Sequence, residues 1–141
     1  MSVLATKRLV TRFYADMFRD LSAAAKWVHP EYVDHNNPSG ERGPEVLRAH
    51  VDALLQTFPD FELRIEDLIA ERDKVVTRVA GRGTHKGTWM QIEPTGLVIE
   101  VKGINIERVA DGLIIEHWGE ADTIGVLIQM GVNPFVGRQP R

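Results

Sequence analysis

The hydrophobic period of this chain changes once, at Pro59, and that change limits the architectures open to it. Before Pro59, apolar residues recur three and four apart: Leu9, Val10, Phe13, Tyr14, Met17, Phe18 and Leu21, then Leu47, Val51, Leu54, Leu55 and Phe58. A stripe of that kind is one face of an α-helix. The spacing predicts an amphipathic helix over 3–20 and another that opens at Pro44, a residue favoured at the first helical position, and stops at Pro59. Between them, Ser22 is placed to cap a short helix over 23–28 that His29-Pro30 ends. Glu31 to Asn36 then reads as a short strand, closed by Asn37-Pro38-Ser39-Gly40. After Pro59 the period is two. Phe61, Leu63 and Ile65 alternate with Glu62, Arg64 and Glu66. Turn residues at Arg72-Asp73, Pro94-Thr95-Gly96 and Ala110-Asp111-Gly112 separate strands over 74–85, 98–109 and 113–121. A closing helix over 123–130 carries Ile124, Leu127, Ile128 and Met130, with Gly131 as its C-terminal cap. Helices grouped before a meander of long strands define an α+β domain, its helices on one face of a mostly antiparallel sheet.

The 141 residues make room for one domain, 1–141. Lys and Arg number 17 against 20 Asp and Glu, a net charge of -3 with no basic stripe, so nucleic acid is not an expected partner. No apolar run approaches the ~20 residues of a bilayer span, and MSVLATKRLVTRFYADMF contains no unbroken apolar core of a signal peptide. A cytoplasmic protein is expected, with no membrane partner. The absence of cysteine excludes disulfides, thiol nucleophiles and cysteine-ligated zinc. There is no GxSxG elbow, P-loop, GxGxxG or HExxH, so the sequence gives no support to acyl-serine chemistry, nucleotide binding or a metal site. Both faces of the last hairpin are partly apolar, Ile104, Ile106, Ile114 and Trp118 on one and Val101, Val109, Leu113 and Ile115 on the other. Helices cover one face. A second copy of the chain is expected to cover the other, giving a homodimer, unless the C-terminal tail does so.

Polar residues on the apolar face carry the chemistry. Pairing Val109 with Leu113 across Asp111 sets Glu107 opposite Ile115, Asn105 opposite His117 and Gly103 opposite Gly119. Asn105, Glu107 and His117 then share a face, as a buried network that satisfies itself or as a site. Asp122 precedes the closing helix, either as an ordinary N-cap or turned toward the pocket by a bulge at Gly119. His85, in RGTHKG, has the parity of Val75, Thr77 and Val79, and is a strand-end surface residue or a member of the site. His35, in YVDHNNP, is open to the same two readings. Tyr14 lies on the first helical stripe, where its hydroxyl needs an interior partner. Phe58, Trp89, Met90 and Ile92 are expected to form an apolar wall, with Trp118 close to the acid. This inventory of carboxylate, imidazole, amide and phenol suits cofactor-free proton transfer beside a carbonyl.

The run AGRGTHKGTWMQIEPTGLVIEVKGINIERVADGLIIEHWGEADTIGVLIQMGV resembles the SnoaL-like polyketide cyclases. DHNNPSG, the helix around Pro44 and FPDFEL are similar to earlier segments of that family in the same order, so the resemblance covers nearly the whole chain. It implies the fold of nuclear transport factor 2: a cone of helices around a curved antiparallel sheet with an open pocket. It also implies aldol ring closure on an apolar, aromatic carbonyl substrate without cofactor or metal, with Asp122 as general acid/base. His117 and Asn105 would then hold the acid or the enolate oxygen. A looser likeness to ketosteroid isomerases points to Tyr14, Asn105 and the neighbourhood of His35. Glu107 has no counterpart in either pattern. Members of the family also include proteins assigned as hydroxylases, and the fold serves elsewhere as a non-catalytic receptacle for small ligands or proteins. Those alternatives, with hydrolysis, stand beside cyclisation.

Overall fold

The first stripe forms helix α1 (Val3–Met17), which Ser2 caps by accepting a hydrogen bond from the Ala5 amide at 3.1 Å. In this computed structural model, which describes residues 1–135, α1 buries Leu9, Val10, Phe13, Tyr14 and Met17 against the sheet. Each such side chain taken wholly out of water is worth roughly 1.5–3 kcal/mol, so this face alone anchors the helix. Asp20, not Ser22, caps α2 (Leu21–Ala25), because its carboxylate reaches the Ala23 amide at 3.2 Å. β1 (Val28–Asp34) begins before the expected Glu31 and takes in Pro30. That is tolerated because β1 is an edge strand, where a missing N–H breaks no inner ladder. α3 (Pro44–Thr57), β2 (Glu62–Glu71), β3 (Lys74–Thr84), β4 (Val98–Ala110), β5 (Leu113–Ala121) and α4 (Thr123–Gln129) complete the chain in the order expected.

The five strands lie in the order β1-β5-β4-β3-β2, antiparallel throughout except for β1, which runs parallel to β5. The helices cover one face, where two apolar clusters form. The larger joins α1 and α3 to Val75, Val79, Val109 and Ile114, and the smaller joins Phe58, Phe61 and Ile99 to Val126 and Met130 of the α4 region. Between them the inner face stays open. Among the described residues no helix is long and apolar enough to cross a membrane.

The β4–β5 hairpin decides what faces that opening. Its loop has two residues, Asp111 and Gly112, with φ of 55° and 73°, the backbone that an Asp-Gly hairpin turn adopts. Val109 therefore pairs with Ile114, one place from the expected Leu113. A bulge at Ile115 then shifts the ladder by one more, setting Glu107 opposite His117 and Asn105 opposite Gly119. Two single shifts make an even total, so Asn105, Glu107 and His117 keep a common inward face although their partners change. On the turn side of the bulge the faces do change: Ile114, 0% exposed, points inward in place of Leu113 and Ile115.

Candidate active site

The opening is a cavity of about 390 Å³, within the range of small-molecule sites. Phe13, Phe18, Leu47, Phe61 and Val101 supply an apolar wall, and Tyr14, Asp34, Asn36, Asn105, His117 and Gly119 supply a polar end. β4 presents Asn105 and Glu107 two residues apart, β5 presents His117 across from Glu107, and α1 lowers Tyr14 onto both strands.

Counting protons fixes the orientation of these groups. The Tyr14 hydroxyl lies 2.5 Å from Glu107 Oε1 and donates to it. Having one proton, Tyr14 must accept from its other neighbours, the Asn105 amide nitrogen at 3.0 Å and the Thr77 hydroxyl at 3.5 Å. Asn105 thus turns its nitrogen to Tyr14 and leaves its carbonyl oxygen toward Gly119. Glu107 Oε1 also lies 2.7 Å from His117 Nδ1, so Nδ1 carries the proton and donates. His117 Nε2 is left beside Gly119, at the cavity. Glu107 itself is 0% exposed, and its Oε2 has no hydrogen-bond partner among the described residues.

The electrostatics follow from that geometry. Burial alone would lower the pKa of His117, but the charge and hydrogen bond of Glu107, aided by the charge of Asp34, hold it above the ordinary 6.5. Burial and the same Glu107 carboxylate push Tyr14 well above 10, so its proton stays in place. At the mouth, burial lowers His50, with Asp34 opposing and His117 assisting; His50 keeps an open side to water that moderates the effect.

Asn36 finishes the site. Its side-chain amide donates to the Gly119 carbonyl at 2.6 Å and accepts from the Gly119 amide at 2.7 Å, continuing the β1–β5 pairing beyond Asp34. A Cβ at position 119 would lie 2.7 Å from Asn105 Oδ1 and 2.9 Å from His117 Nε2, so glycine keeps both atoms open. Gly119→Ala is expected to displace the Asn105 amide and the His117 ring, because both atoms must move to admit the Cβ. NMR signals of these two side chains check this, and signals unchanged from wild type would contradict it.

Known proteins resemble this chain. Residues 8–130 match the family described as SnoaL-like polyketide cyclase. The chain belongs to the SnoaL-like polyketide cyclase family. It is 30% identical over 113 residues to the aklanonic acid methyl ester cyclase DnrD of Streptomyces peucetius, covering 76% of this chain and 77% of DnrD. TsrD from Streptomyces laurentii superposes with a TM-score of 0.85 at 32% identity, covering 94% of this chain and 99% of TsrD. AclR from Streptomyces galilaeus, provisionally named a hydroxylase, superposes at 0.81 with 28% identity, covering 97% of this chain and 87% of AclR. The fold of four helices on a curved, open, mostly antiparallel sheet is that of these SnoaL-like proteins.

Within this SnoaL-like frame several expected site residues lie elsewhere. Asp122 is exposed and caps α4, its carboxylate accepting from the Gly125 amide at 2.9 Å. No bulge interrupts β5 at Gly119, so the alternation that points 117, 119 and 121 inward points 122 outward. Trp118 lies on the outer face by the same alternation, with His35 stacked on it at 4.6 Å and Lys74 over its ring at 5.7 Å. His35 also contacts Glu116 there, at 3.0 Å. Phe58 is clamped over Gly83 and beside His85, in the smaller cluster and off the cavity. His85 is 0% exposed and pins the β3–β4 connection, accepting from the Thr95 amide at 3.2 Å through Nδ1. Trp89 and Ile92 pair with each other and pack on that smaller cluster, while Met90 is 60% exposed. Tyr14, Asn105, Glu107 and His117 are brought together. Tyr32, Asp34, Asn36, Gly119 and Phe61 are cavity residues that the sequence reading missed. Had β1 been started at Val28, the alternation Tyr32-Val33-Asp34 would have pointed to the first two.

Proposed function

We propose that the cavity catalyses cofactor-independent aldol-type ring closure on a neutral, apolar carbonyl compound, with His117 as the general base. The observation that carries this reading is His117 Nε2, bare at an apolar cavity while a fully buried Glu107 holds Nδ1. The substrate's acidic C–H lies at Nε2 and gives up its proton. The C–H electron pair becomes the enolate double bond and the carbonyl π pair moves to oxygen. The enolate carbon then attacks a second carbonyl of the same molecule, forming the ring bond, and the new alkoxide takes the proton back from the imidazolium. Atoms are neither gained nor lost. A raised pKa strengthens the base, and Glu107 and Asp34 steady the imidazolium during the step. Among the described residues no Lys or Arg lines the cavity, whereas Asp34 does, which favours an ester over a free carboxylate. DnrD is named for such a methyl ester.

The test is hydrogen–deuterium exchange at the acidic carbon of β-tetralone, a flat aromatic ketone, followed by NMR. The wild-type protein is expected to accelerate exchange. Asp122→Asn, which preserves a cap, is expected to leave the rate within about twofold. A rate that collapsed in Asp122→Asn would return the acid/base role to that residue.

We also propose that the outer sheet face pairs with a second copy of the chain. Ile69 and Ile104, 64% and 52% exposed, stand there beside Val76 and Ile106, and no described element covers them. Light scattering should give twice the chain mass for wild type and a monomer for Ile104→Asp. A monomeric wild type would overturn this.

A further inference from the structure

One polar group in the cavity has no task in the chemistry above. Tyr32 is 2% exposed, lines the cavity from β1, and its hydroxyl makes no hydrogen bond among the described residues. It is nevertheless not sealed within protein, since the buried polar atoms left without partners are His85 Nε2 and Glu107 Oε2. The hydroxyl therefore keeps a small accessible surface, and the cavity is the open space that Tyr32 lines. Tyr32 shares the inward face of β1 with Asp34, whose register partner is His117. The other cavity tyrosine is not available to a ligand, because the single proton of Tyr14 goes to Glu107. Asn105 gives one of its two N–H groups to Tyr14 and turns its oxygen toward Gly119.

We propose that Tyr32 is the hydrogen-bond donor that holds the substrate's carbonyl oxygen as negative charge develops on it, a catalytic role that rests on the reading of the cavity as an enolate-forming site. Three features suit Tyr32 to this. The donor is fixed, because the ring is buried in the larger apolar cluster. It is idle, so binding a substrate oxygen breaks no internal bond. It also keeps its proton: burial first, then the charges of Glu107 and Asp34, raise its pKa far above that of an ordinary tyrosine, so it donates at every working pH. The division of labour is then complete. Glu107 and Tyr14 face His117, and Tyr32 faces the oxygen of the substrate.

The test uses β-naphthol, whose oxygen mimics an enolate oxygen, and β-methylnaphthalene, which has the same rings without it. Binding to wild type and to Tyr32→Phe is measured by ligand fluorescence. Wild type is expected to bind β-naphthol at least ~10-fold more tightly than β-methylnaphthalene, and Tyr32→Phe is expected to lose that preference while holding the hydrocarbon as before. Exchange of β-tetralone should fall about 100-fold in Tyr32→Phe with little change in KM. A variant that keeps the preference for β-naphthol, or a wild type that shows none, overturns the proposal. Tyr14→Phe is the second variant: it is expected to retain the preference, and if it loses it the donor is Tyr14 instead. Failure of His117 as base would appear separately, as unaltered exchange in a His117 variant, and would leave the binding result standing.

Discussion

His117→Asn is expected to slow exchange of β-tetralone by roughly 10²–10⁴-fold, the usual worth of a positioned general base. Asparagine is the informative replacement because its amide nitrogen falls near the place of Nδ1. The hydrogen bond to Glu107 survives and the buried carboxylate keeps a donor, while the basic Nε2 is removed. The wild-type rate should also report the base directly. His117 works when neutral, and its pKa is raised, so the rate should climb with pH through an inflection above 6.5 and level off. The variant should show a flat, low profile. A His117→Asn protein that exchanges as fast as wild type would remove the base from the mechanism.

Glu107 is expected to be the most costly single position in the fold. It is 0% exposed and accepts two hydrogen bonds on one oxygen. Glu107→Leu would leave the Tyr14 hydroxyl and the His117 Nδ1–H buried without an acceptor, at about 1–3 kcal/mol each. A total near 2–6 kcal/mol is a large part of the roughly 5–15 kcal/mol that keeps a domain folded. Glu107→Gln retains the accepting oxygen and removes the charge, at the cost of an amide NH₂ buried where Oε2 has no partner, so it should fold better than Glu107→Leu. Its effect falls on His117: burial, the largest influence there, is no longer opposed by Glu107, and the pKa should drop. The same shift links to stability. Because folding raises the pKa of wild-type His117, the stabilisation is fully present below the unfolded value of about 6.5 and is lost as pH rises through the folded value. Wild-type melting temperature should therefore fall over that upward window, and the fall should vanish in Glu107→Gln. Melting curves that leave Glu107→Leu unaltered, or a pH dependence that persists in Glu107→Gln, would contradict this account.

Periodicity carried the architecture because burial on one face is a property of short stretches. The stripe of α1 and the alternation of β3 are visible without a partner, and the structure buries Val10, Phe13, Val75 and Thr77 as those patterns require. The site was legible to the extent that it depended on parity. Asn105, Glu107 and His117 stay on one face because the Asp111-Gly112 loop and the bulge at Ile115 shift the ladder twice. Where a single residue decides direction, sequence was insufficient. Asp34 ends β1 and His35 follows it, and which of them enters the cavity depends on a strand start that Pro30 obscured. Asp122 needed a bulge at Gly119 that the ladder does not contain; the glycine is there for space beside Nε2 instead. Trp89 and Ile92 look like a pocket wall by composition, yet the long β3–β4 connection folds them onto Phe58 and Ile99, a placement set by contacts distant in sequence. Family resemblance named the fold correctly but transferred an acid/base that this chain points at solvent.

Nitrogen NMR of His117 across a pH titration of the wild-type protein examines the base where it stands. The neutral ring should carry its proton on Nδ1 with Nε2 bare, and should titrate above the value of a free histidine. A ring protonated on Nε2 when neutral, or one that titrates below that value, would mean that Glu107 does not hold the imidazole and that no base faces the cavity.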